Sequence, residues 1–148
     1  MSAISYFARY GKRFLLALKR ERAQDMIEFV VGFPIMVTML LGIVEFGIVA
    51  FSYNTIANAA HEGARYGALH PSAVSGNCAN PGAGIGEATC QLTSGLVPGR
   101  VQYNAAVVDS AVQVEVVYVY QFVSSPISRA VGQSGTITLR AVASMQIE

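Results

Sequence analysis

The uncharged stretch FVVGFPIMVTMLLGIV, from Phe29 to Val44, decides how this chain folds. It has no polar face, and a chain of 148 residues offers little core in which to enclose such a helix. After Glu45 the apolar character resumes through Phe46, Gly47, Ile48, Val49, Ala50 and Phe51. The combined run exceeds the roughly 20 helical residues that cross a bilayer. A cleaved secretory signal is a poorer reading, because its apolar region spans about 7 to 15 residues and ends in a small-x-small exit, which is missing here. A transmembrane helix is therefore expected over residues 26–53. Gly32, Pro34 and Gly42 are compatible with it, since both residue types are common in membrane helices.

Two carboxylates bound this segment. Glu28 lies at its first edge, close to the positive end of the helix dipole, and reads as an interfacial charge. At about 1.5 Å per residue from Ile27, Glu45 lies ~27 Å along the helix, near the far boundary of a hydrocarbon core about 30 Å thick. There it is expected to reach up to the headgroups or to meet a partner helix.

The composition, 53% hydrophobic and 13% charged, carries a net charge of +1 that conceals an asymmetry. Arg9, Lys12, Arg13, Lys19, Arg20 and Arg22 face only Glu21 and Asp25 in residues 1–25, whereas the rest of the chain has four arginines against seven carboxylates. Basic flanks stay on the cytoplasmic side, so residues 1–25 are expected to form a cytoplasmic leader and residues 54–148 an extracytoplasmic domain. The same basic residues adjoin an apolar run and not a folded face, which argues against nucleic acid as a partner.

Outside the membrane, NTIANAAHEGARYGAL (residues 54–69) is rich in alanine and free of proline, and should continue the helix. Ile56, Ala60, Gly63, Ala64 and Gly67 form a small-residue stripe on which another element can pack closely. HPSAVSGNCANPGAGIG (residues 70–86) reads as loop. In an extracytoplasmic compartment Cys78 and Cys90 are expected to form a disulfide, with two reduced thiols as the alternative. No further Cys or His is spaced to complete a metal site.

Residues 85–96 can form a short helix. Three alternating runs then follow: Val101, Tyr103, Ala105 and Val107; Val112, Val114, Val116, Tyr118 and Tyr120; and Ile137, Leu139, Ala141, Ala143, Met145 and Ile147. Asp109 and Ser110 supply a tight hairpin between the first two, and a loop over residues 124–135 joins the second to the third. The expected fold is α+β: a long N-terminal transmembrane helix extending outward, a small three-stranded antiparallel sheet, a short helix and a disulfide loop.

Catalytic patterns fail on their spacing. HEGAR, from His61, lacks the second histidine of a zinc-protease helix, having Arg65 in its place. GQSGT from Gly132 and GAGIGE from Gly82 match neither a nucleophile elbow nor a dinucleotide turn. His61, Glu62 and Arg65 read instead as a polar helix face with charges paired across neighbouring turns. Neither an enzyme nor a cofactor is expected.

At RAQDMIEFVVGFPIMVTMLLGIVEFG, and again through NTIANAAHEGARYGAL, the sequence resembles the TadE-like pseudopilins of Tad (tight adherence, Flp-type) pilus systems. YVYQF from Tyr118 and TITLRAVASMQIE from Thr136 resemble that family's closing strands. The resemblance implies cleavage by a prepilin peptidase between Ala23 and Gln24, with Glu28 and Phe29 becoming the fifth and sixth mature residues. It also implies that the helix bearing Pro34, Glu45, Phe46 and Gly47 serves in assembly, and that other pilin or pseudopilin subunits and the Tad secretion machinery are partners. An uncleaved, membrane-tethered envelope binding module is the alternative.

Overall fold

The computed structural model describes residues 3–123 and 135–147, with side chains from Gln24 onward. The leader's basic side chains, that of Ala23 and residues 124–134 of the loop expected over 124–135 lie outside the described residues. Helix α1 (Ala3–Leu69) is followed by β1 (Val74–Asn77), α2 (Ile85–Gln91), a 3-10 turn at Pro98–Arg100, β2 (Val101–Val108), β3 (Ala111–Gln121) and β4 (Thr136–Gln146). The chain divides into two compact units, one ending at Leu41 and one beginning at Gly42.

In the first unit the apolar helix has no protein cover. Phe29, Val31, Ile35, Met39 and Leu40 are each more than half exposed. Pro34 lies within the helix, and the Thr38 hydroxyl donates to its carbonyl at 2.8 Å. From Gln24 onward the helix is long and apolar enough to cross a membrane, with a mean hydropathy reaching 2.3.

The second unit is built on an antiparallel sheet of order β1-β2-β3-β4, so every strand pairs with its sequence neighbour. Alternation decides which face is buried: Val101, Tyr103 and Ala105 of β2, Val112, Val114, Val116, Tyr118 and Tyr120 of β3, and Leu139, Ala141 and Ala143 of β4 all point into the core. The hairpin at Asp109 and Ser110 has φ of 48° and 63°, the paired positive values of a type I′ turn, whose twist matches that of the strands it joins.

Helix α1 covers the apolar face with the expected stripe. Ile56, Ala60, Gly63, Ala64 and Gly67 are all buried, at the three- and four-residue spacing of one helix face. A β-carbon on Gly63 would stand 3.2 Å from Val114 Cγ1, and one on Gly67 2.7 Å from Val112 Cγ1. The glycines thus set how closely helix and sheet approach. Because Gly67 meets Val112 while Glu45 meets Tyr120, this part of α1 runs opposite to β3.

The sheet has four strands, not the three expected. Val74–Asn77, read as loop, pairs with β2 in the register Val74↔Ala105 to Asn77↔Gln102. The sequence VSGN carries too little apolar alternation to announce a strand, and it pairs because β2 offers an open edge. Gly76 is required there, since a β-carbon would stand 2.7 Å from the Tyr103 hydroxyl. The short helix closes at Gln91, before the end of the 85–96 range, and Gly95 with φ of 88° turns the chain towards Pro98.

Candidate functional site

Four groups of residues carried functional expectations, and the fold treats them differently. Gln24, Glu28 and Phe29 are exposed on the first unit's helix. Asp25, Glu28, Phe29, Gly32, Phe33 and Met36 line a shallow depression of about 370 Å³ along one face, and the Phe29 and Phe33 rings stack at 5.4 Å. Glu28 has no ion-pair partner among the described residues. Apart from the two carboxylates, Asp25 and Glu28, the lining of this depression is apolar.

Glu45 has an environment that the sequence did not suggest. Its side chain is 4% exposed and faces its own sheet, where it accepts a hydrogen bond from the Tyr120 hydroxyl at 2.5 Å and one from the Val123 backbone N–H at 2.8 Å. These bonds span 75 and 78 residues of sequence and hold the end of β3 to α1. A buried carboxylate is tolerable only when so engaged. Burial pushes the Tyr120 phenol up to about 12, helped by the hydrogen bond to Glu45 and its negative charge. Tyr118, Tyr120 and Phe122 form an aromatic ladder at this end of the sheet, with Tyr120 and Phe122 edge to face at 5.3 Å. Two signals could have located the clamp: Glu45 lies three helical turns from Ile56 on the same face, and an inward-pointing tyrosine needs a partner for its hydroxyl. By contrast Phe46 is 75% exposed, and a β-carbon on Gly47 would meet nothing within 4 Å.

Cys78 and Cys90 form a disulfide, with Cα atoms 5.3 Å apart, that fastens the end of β1 to α2. Cys78 also donates its backbone N–H to Val101 at 3.0 Å, which continues the β1–β2 pairing.

Arg65 and Glu62 form the paired helix face that the spacing suggested, with contacts of 2.5 and 2.9 Å. The hydrogen bond and charge of Arg65 lower the Glu62 carboxyl, and Glu62 raises the guanidinium. Among the described residues no group of three His, Cys, Asp or Glu side chains is placed to hold a metal ion.

Residues 24–65 match the family model described as TadE-like protein. No curated protein and no solved structure matches the chain. The matched segment takes in the exposed apolar helix, Glu28, Glu45 and most of the glycine–alanine stripe beneath the sheet, so the likeness to TadE-like proteins covers residues 24–65 of the 148.

Proposed function

We propose that the protein is a minor pilin or pseudopilin that takes part in assembling a Tad/Flp-type pilus, by priming, capping or modifying the filament after prepilin-peptidase processing. The observation that carries this reading is the TadE-like match over residues 24–65, which begins at the residue that processing would make the new N-terminus. The physical chemistry of the segment supports it. A helix uncovered on every side is at home in lipid as a precursor, and can exchange lipid for neighbouring helices in a filament.

In this reading the chain is held in the inner membrane with its N-terminus in the cytoplasm, and the peptidase cuts between Ala23 and Gln24. The cut creates an ammonium at Gln24 that can pair with the Glu28 carboxylate of an adjacent subunit and so set their register. It also removes six basic residues and Glu21, which leaves four arginines and eight carboxylates and changes the formal side-chain charge from +1 to −4. The basic flank that resists outward movement is then gone.

The test is N-terminal sequencing of filament-associated protein from cells with and without the prepilin peptidase. A mature chain starting at Gln24 only when the peptidase is present is expected. Filament protein that begins at Met1 or Ser2 would overturn both the processing step and the mechanism built on it.

A further inference from the structure

The first turns of α1 within the second unit are covered on one side only. Glu45, Ser52 and Ile56 face the sheet, whereas Ile43, Phe46 and Phe51 are 67%, 75% and 56% exposed. The uncovered side stays apolar as far as Phe51 and then turns polar at Asn54, Asn58, His61 and Arg65, all exposed and all on one helix face. The water boundary on that side therefore falls between Tyr53 and Asn54. On the other side the sheet already covers the helix at Glu45, which at about 1.5 Å per residue lies roughly 12 Å closer to the membrane. A headgroup layer is only about 5–8 Å thick on each side of the hydrocarbon. If α1 spans the bilayer, the end of the sheet nearest Glu45 cannot stand clear of the lipid.

The surface at that end suits such a contact. Val123 is 87% exposed and Val97 51%, and a β-carbon on Gly95 would lie 3.5 Å from Phe51, which places the Gly95–Val97 turn beside the apolar side of the helix. Arg100 is exposed, with its guanidinium donating to Gln121 at 2.8 Å, and offers a cation for lipid phosphate. Residues 95–101, 118–123 and 136–139 contain no Asp or Glu. The carboxylate at this depth, Glu45, is turned inward onto Tyr120 and Val123.

We infer that this end of the second unit is a lipid-contacting surface, in which Val97, Val123 and Phe51 sit in the headgroup layer, Phe46 meets the hydrocarbon and the sheet shields Glu45 at its edge. The inference rests on the transmembrane part of the proposed function, and not on cleavage or filament assembly.

The chain has no tryptophan, so single tryptophans can report on it. Full-length Val123→Trp, Val97→Trp, Val108→Trp and Phe33→Trp proteins would be reconstituted in phosphatidylcholine–phosphatidylglycerol vesicles. Quenching by lipids brominated high on the acyl chain would be compared with quenching by aqueous acrylamide. Val108 lies at the opposite end of β2 and Phe33 within the span. The expected result is blue-shifted emission and severalfold stronger lipid quenching for the tryptophans at 123, 97 and 33 than for that at 108. Should Phe33→Trp be lipid-quenched while Val123→Trp and Val97→Trp behave like Val108→Trp, the surface is refuted and the transmembrane helix stands. Equal lipid quenching of Val108→Trp and Val123→Trp would refute a contact confined to one end. Absence of lipid quenching at Phe33→Trp would refute the surface and the membrane anchor together.

Discussion

Replacing Tyr120 by phenylalanine removes one hydroxyl from the clamp while keeping the ring that packs between Tyr118 and Phe122. Glu45 would remain buried with the Val123 N–H still donating but its 2.5 Å partner lost. A hydrogen bond to a charged group contributes about 1.5–3 kcal/mol, so the variant should lose on the order of 2 kcal/mol at neutral pH. The phenol adds a pH signature. Burial first, and then the hydrogen bond to Glu45 and its charge, raise it from 10.0 to about 12 in the folded state. With the folded value raised, stability is fully present below pH 10 and falls as pH climbs towards about 12. Thermal unfolding of the disulfide-intact protein in detergent micelles should place Tyr120→Phe roughly 8–10 °C below the parent at pH 7, taking about 4–5 °C per kcal/mol for a domain of this size. Between pH 10 and 12 the gap should narrow, because only the parent has this phenol to ionise. A gap under about 2 °C at pH 7 that stays constant to pH 12 would show that the clamp contributes nothing and that Glu45 is stabilised by other means.

Gly67→Ala places a methyl 2.7 Å from Val112 Cγ1, so denaturant unfolding should show a loss of about 1–3 kcal/mol despite alanine's better helix propensity. Alanine at Gly47, where nothing lies within 4 Å, should cause no such loss. Non-reducing mass spectrometry should recover a peptide pair linked through Cys78 and Cys90, and replacing both by alanine should cost on the order of 3 kcal/mol for a loop of this length; alkylation of both thiols without prior reduction would contradict the bridge. Glu28→Ala should still be cleaved but be poorly recovered in sheared filaments, whereas Ala23→Leu should accumulate as membrane-bound precursor. Filament yields equal to the parent's for Glu28→Ala would remove the proposed pairing with the Gln24 ammonium.

Local chemistry carries much of this protein in plain view. The run from Phe29 to Val44 announces an uncovered helix because periodicity and length need no knowledge of distant residues. The period-two alternation of β2, β3 and β4, the Asp109–Ser110 turn and the stripe of Ile56, Ala60, Gly63, Ala64 and Gly67 are legible for the same reason: each records which side of one element must be buried. Only the tertiary structure could decide the rest. Val74–Asn77 becomes a strand because the open edge of β2 and the bridge at Cys78 hold it there, not because of its own composition. Glu45 looks like a charge stranded at a membrane edge until the fold brings up Tyr120 and Val123, 75 and 78 residues away. A carboxylate's partners are chosen by three-dimensional proximity, which no local pattern encodes; the sequence alone shows that Glu45 needs partners, and the packing of α1 on the sheet brings it Tyr120 and Val123.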